Sequence, residues 1–470
     1  MKRLLLVPVL VAALLCLLAA PALASPKTFY VSYTGKHDYT TKIQKAFNAA
    51  VKAGPDSTVQ LAAGHFYINN IVVRNFDGTF KGAGEHKTVI DCLRGLDPSL
   101  PGVAVLPDAG SWPSLLVFKS GDIRASDMTF DITAASPAET WQVWFNGGTP
   151  GDYLGDIVTV TGDVVSSAFD HVAFITGTGS DSGYNADETL AICGTGPANT
   201  SGQPTTLWHS SGSESVCDCC FRAYNGVEIT GLTNGRAMIA DNVIEGYENG
   251  CLLFDNSNSS VALCHNQMST GAGENFVAWQ GFQASFGAGA SLPPLPAPHY
   301  LIADNHMLAT GSASAFFAED DSLLYGADNR LHATIAGNTI RLDTTGFGIG
   351  EFATRGFWVF DNRISGSALT GMYLGDDYDG PDGTTLYPVS GWKIIGNDLH
   401  SLTTSMASIV LGNGSSHCLV VGGPPPTTVL NNGTDNTLIN VTPIADPPAA
   451  AAMPMNAMKQ LKHLKGMMLP

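Results

Sequence analysis

The chain has 470 residues, 52 of them Gly, and only 14% are Asp, Glu, Lys or Arg. A set of amphipathic helices would need far more charge on its wet faces, so this balance points to many short strands joined by tight turns. Twenty-three Lys and Arg stand against 41 Asp and Glu, a net charge of −18 that argues against a partner gripped through nucleic-acid phosphates.

In chain order, the first 24 residues read as a secretory signal. Lys2 and Arg3 form a positive start, Leu4 to Leu18 an apolar stretch, and Ala22-Leu23-Ala24 a small-residue cleavage site. No later apolar run reaches the ~20 residues of a membrane span, so the expectation is a protein secreted to the periplasm or medium, free of the membrane once cleaved. Thr40 to Gly54 carries Ile43, Phe47, Ala50 and Val51 at helical spacing, and Gly54-Pro55 stops the helix. Residues 57–61, 65–68, 78–84 and 88–91 then read as strands, with further strand-rich segments at 123–132, 157–165 and 216–231. Long insertions at 93–114, 134–154, 176–213, 281–298 and 379–388 separate them and carry Trp112, Trp141, Trp144 and Trp208.

Setting aside Cys16 within the signal leaves Cys92, Cys193, Cys217, Cys219, Cys220, Cys251, Cys264 and Cys418, an even number that permits disulfides in an exported chain. Simple burial in strands accounts equally well for Cys251 and Cys264. The Cys217-Asp218-Cys219-Cys220 cluster lacks the partner pair of a zinc site.

The second half repeats. Asn242, Asn266, Asn305, Asn338, Asn362 and Asn397 share one frame, with an apolar residue five before, three before and two after each of them. Their spacings are 24, 39, 33, 24 and 35. Period-2 alternation on both sides means a strand, a bend, then a strand. Asn suits the bend because it tolerates left-handed backbone and its amide can bond to identical amides in neighbouring coils. One such coil cannot bury its apolar face alone, so coils must stack.

This pattern is similar to the right-handed parallel β-helix superfamily that contains pectate lyases and polygalacturonases. The order helix, strands, Gly82-Ala83-Gly84 and strand resembles the start of those proteins, where a helix over about 40–54 caps the open end. The resemblance implies an all-β, single-stranded right-handed parallel β-helix over 25–445, followed by a Pro/Ala/Met-rich tail over 446–470. It does not carry a catalytic set across. Asp320-Asp321 and Asp376-Asp377 match the double Asp of polygalacturonases, but their Gly-His-Gly and Arg-Ile-Lys segments are missing. The Arg-x-Pro-x-x-Arg segment of pectate lyases is absent, and Tyr325-Gly326-Ala327-Asp328 begins the alginate-epimerase motif without its His.

Counting forward from each Asn finds a second column. Glu351 lies thirteen residues on, and Glu319 and Asp376 fourteen, so the three are expected to form an acidic ladder on consecutive coils. Neighbouring carboxyls raise one another's pKa or demand a cation. Glycosidases need such a pair, and a lyase acting on uronates could use it to hold Ca²⁺, although the sequence fixes no metal. The expected catalytic residues are Glu319, Glu351, Asp376, Asp377 and Arg355. Trp358 and Lys393, each four before an Asn, are expected to point outward and hold sugar together with Asp320 and Tyr378. A structural turn ladder is the alternative for the acids.

The expected function is a secreted polysaccharide lyase or glycoside hydrolase, a monomer acting on a polysaccharide, acidic or neutral. The alternatives are a non-catalytic glycan-binding, adhesin-like surface protein and a C5-epimerase of uronate polymers.

Overall fold

The computed structural model describes residues 26–36, 38–68, 71–92, 115–131, 157–175, 188–194, 212–232, 234–254, 256, 258–280, 297–320, 331–352, 354–375, 389–423 and 427–444. The signal segment, the C-terminal tail and almost all of the long insertions lie outside the described residues. Among the described residues a single helix, Thr40–Ala53, precedes a run of parallel strand pairings, and the chain is a right-handed parallel β-helix.

The helix buries Ile43, Phe47 and Ala50, its residues at i, i+4 and i+7. Gly54 ends it at φ 102°, donating its N–H to the carbonyls of Ala50 and Val51. Phe47 reaches the rings of Phe76, Phe80 and Phe118 at centroid distances of 5.3, 5.0 and 5.7 Å, which ties the helix to the first coils.

In the second half each coil has three faces. The first precedes the asparagine and is built from Arg236–Ala240, Ser260–Cys264, His299–Ala303, His332–Ala336, Trp358–Phe360 and Lys393–Ile395, each paired in parallel with the next. The second follows the asparagine, as in Gln267–Thr270, His306–Gly311 and Thr339–Thr344. The third contains Glu274–Gln280, Ser314–Asp320, Phe347–Phe352 and Thr370–Gly375.

Alternation sends every second side chain inward, and register stacks like on like. The first face contributes Val216, Ile239, Leu263, Ile302, Ile335, Val359, Ile394 and Val420, none more than 1% exposed. The third contributes Val227, Cys251, Phe276, Phe316, Ile349, Met372, Ile409 and Val429 in one register. Cys251 is thus an ordinary core residue, and burial pushes its thiol well up. Cys217, Cys219, Cys220, Cys264 and Cys418 are also unbridged.

The asparagines form the expected amide ladder. Asn242 donates through Nδ2 to Oδ1 of Asn266 at 2.9 Å, and the chain of bonds continues through Asn305, Asn338 and Asn362 to Asn397 at 2.8–3.0 Å. Each Oδ1 also accepts the backbone N–H of the preceding asparagine, as from Asn305 to Asn338 at 2.9 Å. The conformational part of the expectation is corrected, because the left-handed residue is the one before each Asn. Asp241, His265, Asp304, Gly337, Asp361 and Gly396 have φ between 55° and 67°. The amide must point inward to reach its neighbours, so the tightest part of the bend falls one residue earlier, on Asp, His or Gly.

Candidate functional site

The expected acids that are described lie at the ends of third-face strands, before the corner to the first face. Glu319 and Asp320 end the strand Ser314–Asp320, and Glu351 lies near the end of Phe347–Phe352 in the next coil; for all three the backbone alone is described. Asp376, Asp377 and Tyr378 lie outside the described residues.

Register corrects the single acidic column. Ala318 pairs with Glu351, and Glu319 pairs with Phe352. Phe316 and Ile349, which pair, stand equally far past Asn305 and Asn338, so no turn absorbs the extra residue before Glu319. Positions 319 and 351 therefore belong to opposite sides of the sheet. The register column of Glu351 runs through Ala318 and Leu374, both fully buried, whereas that of Glu319 runs through Trp279, Phe352 and Gly375. What the fold brings together is three acidic positions at the ends of two adjacent strands. They carry the hard oxygen donors that calcium takes.

Beside them the outer side of the third face is apolar. Leu252, Val277, Phe317 and Phe347 form a buried cluster with Tyr373. Gly350 leaves a gap in this row that the Phe347 ring fills, since a Cβ at Gly350 would lie 1.9 Å from it.

Arg355 lies in the short connection from Phe352 to Trp358, bridged in parallel to Ser390. Its Nε is buried without a hydrogen-bond partner. Trp358 is 49% exposed on the outer side of the first face, where its spacing from Asn362 sends it. Lys393, its register partner in the next coil, places Nζ 4.2 Å from the indole centroid. This is a cation–π contact between neighbouring coils.

The structure adds residues that the asparagine frame passed over. Reading one position further back, the sixth before each Asn, finds Arg236, Ser260, His299 and His332 in one outward register row, with the imidazoles of His299 and His332 stacked at 5.4 Å. Together with Met238, Leu301 and Trp358 they line a groove of about 780 Å³.

Glu214 lies at the same groove, and its signal was a charged residue in an inward slot. It pairs in register with Ala237, the first apolar position of the repeat frame. Glu214 is 3% exposed, accepts a 2.5 Å hydrogen bond from Ser167 Oγ, and leaves Oε1 without a partner. Burial pushes its carboxyl up to about 7, against the hydrogen bonds from Ser167, and nearby Asp122 adds to the rise.

Among the described residues, the one group that brings three metal-capable atoms within 4.8 Å of one another is Asp170, His171 and Asp218, all exposed. His171 and Asp218 are left-handed turn residues, so bend geometry already accounts for their residue types.

No protein-family model and no curated protein matches the chain. Among solved structures it is similar to a polygalacturonase from Erwinia carotovora ssp. carotovora, with 11% identity, 90% of this chain and 98% of that one covered, and a TM-score of 0.47. It is similar also to the Streptococcus pneumoniae surface protein and adhesin PfbA, with 12% identity over 89% and 99% of the two chains and a TM-score of 0.49. A third is the A-module of the Azotobacter vinelandii mannuronan C-5 epimerase AlgE6, with 15% identity over 88% and 98% and a TM-score of 0.36. Likeness this distant says nothing of chemistry.

Proposed function

We propose that this is a secreted carbohydrate-active protein that works on a polysaccharide, as a monomer, at the acidic end of its third face. The observation that supports this most is the meeting of Glu319, Asp320 and Glu351 at neighbouring strand ends. Adjacent strands lie ~4.8 Å apart and one residue of slip adds ~3.4 Å along the strand. Retaining and inverting glycoside hydrolysis use carboxyls about 5 to 9.5 Å apart, a distance on the scale of these backbone steps. In this reading Glu319, Glu351, Asp376 and Asp377 supply the acid and the base. Arg355 is the cation at the corner, and Asp320, Tyr378, Trp358 and Lys393 hold sugar. A lyase acting on uronates would place calcium on the same carboxylates.

The test is to offer the purified protein polygalacturonate, alginate and a neutral glucan. Ultraviolet absorbance of an unsaturated uronate marks a lyase, new reducing ends without it mark a hydrolase, and a changed uronate composition without cleavage marks an epimerase. Glu319→Gln and Asp376→Asn should each lower turnover about a hundredfold or more. Full activity in both variants overturns the assignment. Absence of turnover with retained glycan binding identifies the adhesin-like alternative, for which the groove on the first face gives an independent reason.

A further inference from the structure

The groove on the first face is built on six parallel strands and, among the described residues, does not include the acidic strand ends. At ~4.8 Å per strand it runs about 24 Å along the solenoid. Its upper row is Arg236, Ser260, His299 and His332, and its lower row is Met238, Ala262, Leu301, Thr334 and Trp358. Small side chains at Ala262 and Thr334 separate larger ones, which gives an extended floor instead of a closed cavity. Lys393 sits over the indole from the next coil, outside the lining, so the other indole face is left to the groove.

Its charge runs against that of the molecule. A chain of net charge −18 places Arg236, His299 and His332 on this floor, with Lys393 just behind. Arg236 and His299 form no ion pair among the described residues. Among the described residues the one carboxyl in the lining is Glu214, which is turned inward and bonded to Ser167. An exposed indole beside the Arg236 guanidinium and a row of imidazoles on an extended strand surface matches a polymer of sugar rings bearing carboxylates, because the ring faces stack and the acid groups pair.

We propose that this groove is a second glycan-binding surface, distinct from the acidic strand ends, that holds an anionic stretch of polysaccharide. The inference rests on the carbohydrate reading above but assigns the anionic segment to a different face. Two acidic surfaces would repel one another, and the basic floor offers an acidic polymer a place to dock on an acidic protein.

Binding of the full chain to sodium polygalacturonate, and to the same polymer with its carboxyls reduced, tests this by titration calorimetry at low and high salt. The charged polymer should bind more tightly, and the difference should shrink with salt. Trp358→Ala should weaken binding about tenfold at both salt concentrations, and Arg236→Ser mainly at low salt. In the unaltered protein, polygalacturonate should slow acylation of His299 and His332 by diethyl pyrocarbonate while leaving exposed His400 unprotected, a readout independent of any variant's folding. No binding at low salt, equal binding of the reduced polymer, or unchanged binding in both variants overturns the proposal. If Glu319→Gln abolishes turnover while Arg236→Ser leaves low-salt binding of the charged polymer intact, the catalytic reading stands and this one falls. Groove-dependent binding without turnover of any polymer gives the reverse.

Discussion

Removing a single amide from the ladder affects more than one residue. Asn338 bonds Asn362 and the Ile302 carbonyl through Nδ2, and its Oδ1 accepts both the backbone N–H and the amide of Asn305. Asn338→Ala leaves several buried polar groups unpaired, and a loss of about 3 kcal/mol or more is expected in denaturant unfolding. Glu214 gives the opposite kind of prediction. Its carboxyl titrates at about 7 in the fold against 4.5 as the ordinary value. The protonated form is therefore the one the fold prefers. Its contribution is fully present below about pH 4.5 and is lost as pH rises through about 7, amounting to roughly 3 kcal/mol. Glu214→Gln cannot ionise, so its stability relative to the native protein should rise by about that amount between pH 5 and 8. Parallel stability profiles for the two proteins across that window would show that the carboxyl is not held neutral.

Among the elements, the helix Thr40–Ala53 and the ends of the third-face strands matter most. The sequence reading that the helix closes the end of the solenoid makes Phe47 its anchor, since this ring meets three core phenylalanines at once. Phe47→Ala should cost about 3–5 kcal/mol. Limited proteolysis should then release fragments from the N-terminal coils first, because contacts in a solenoid are between neighbours. Uniform loss of all coils would instead assign the helix no local capping role. On the third face, register decided what counting forward from each Asn did not. A difference of one residue between Glu319 and Glu351 is negligible along a loop but moves a side chain to the other side of a strand. The repeat frame was legible because apolar slots recur at fixed distances from each Asn. The acidic slot was less legible because it lies furthest from that anchor, next to insertions of unequal length.

Across the molecule, the described strands form one parallel stack, and the sparse charge follows from turns and inward slots. Coil stacking, the amide ladder, the helix ending at Gly54 and the outward direction of Trp358 and Lys393 were all written in the sequence. Each depends on local periodicity, which a strand enforces whatever its neighbours do. Tertiary structure alone decided three things. It placed the left-handed bend on the residue before each Asn, because the amide is needed inside. It set Glu319 and Glu351 on opposite sides of their sheet, because pairing between coils fixes register. It gathered Arg236, His299, His332 and Trp358 into one groove on an acidic protein, because residues 24 to 39 apart in sequence become neighbours only when coils stack.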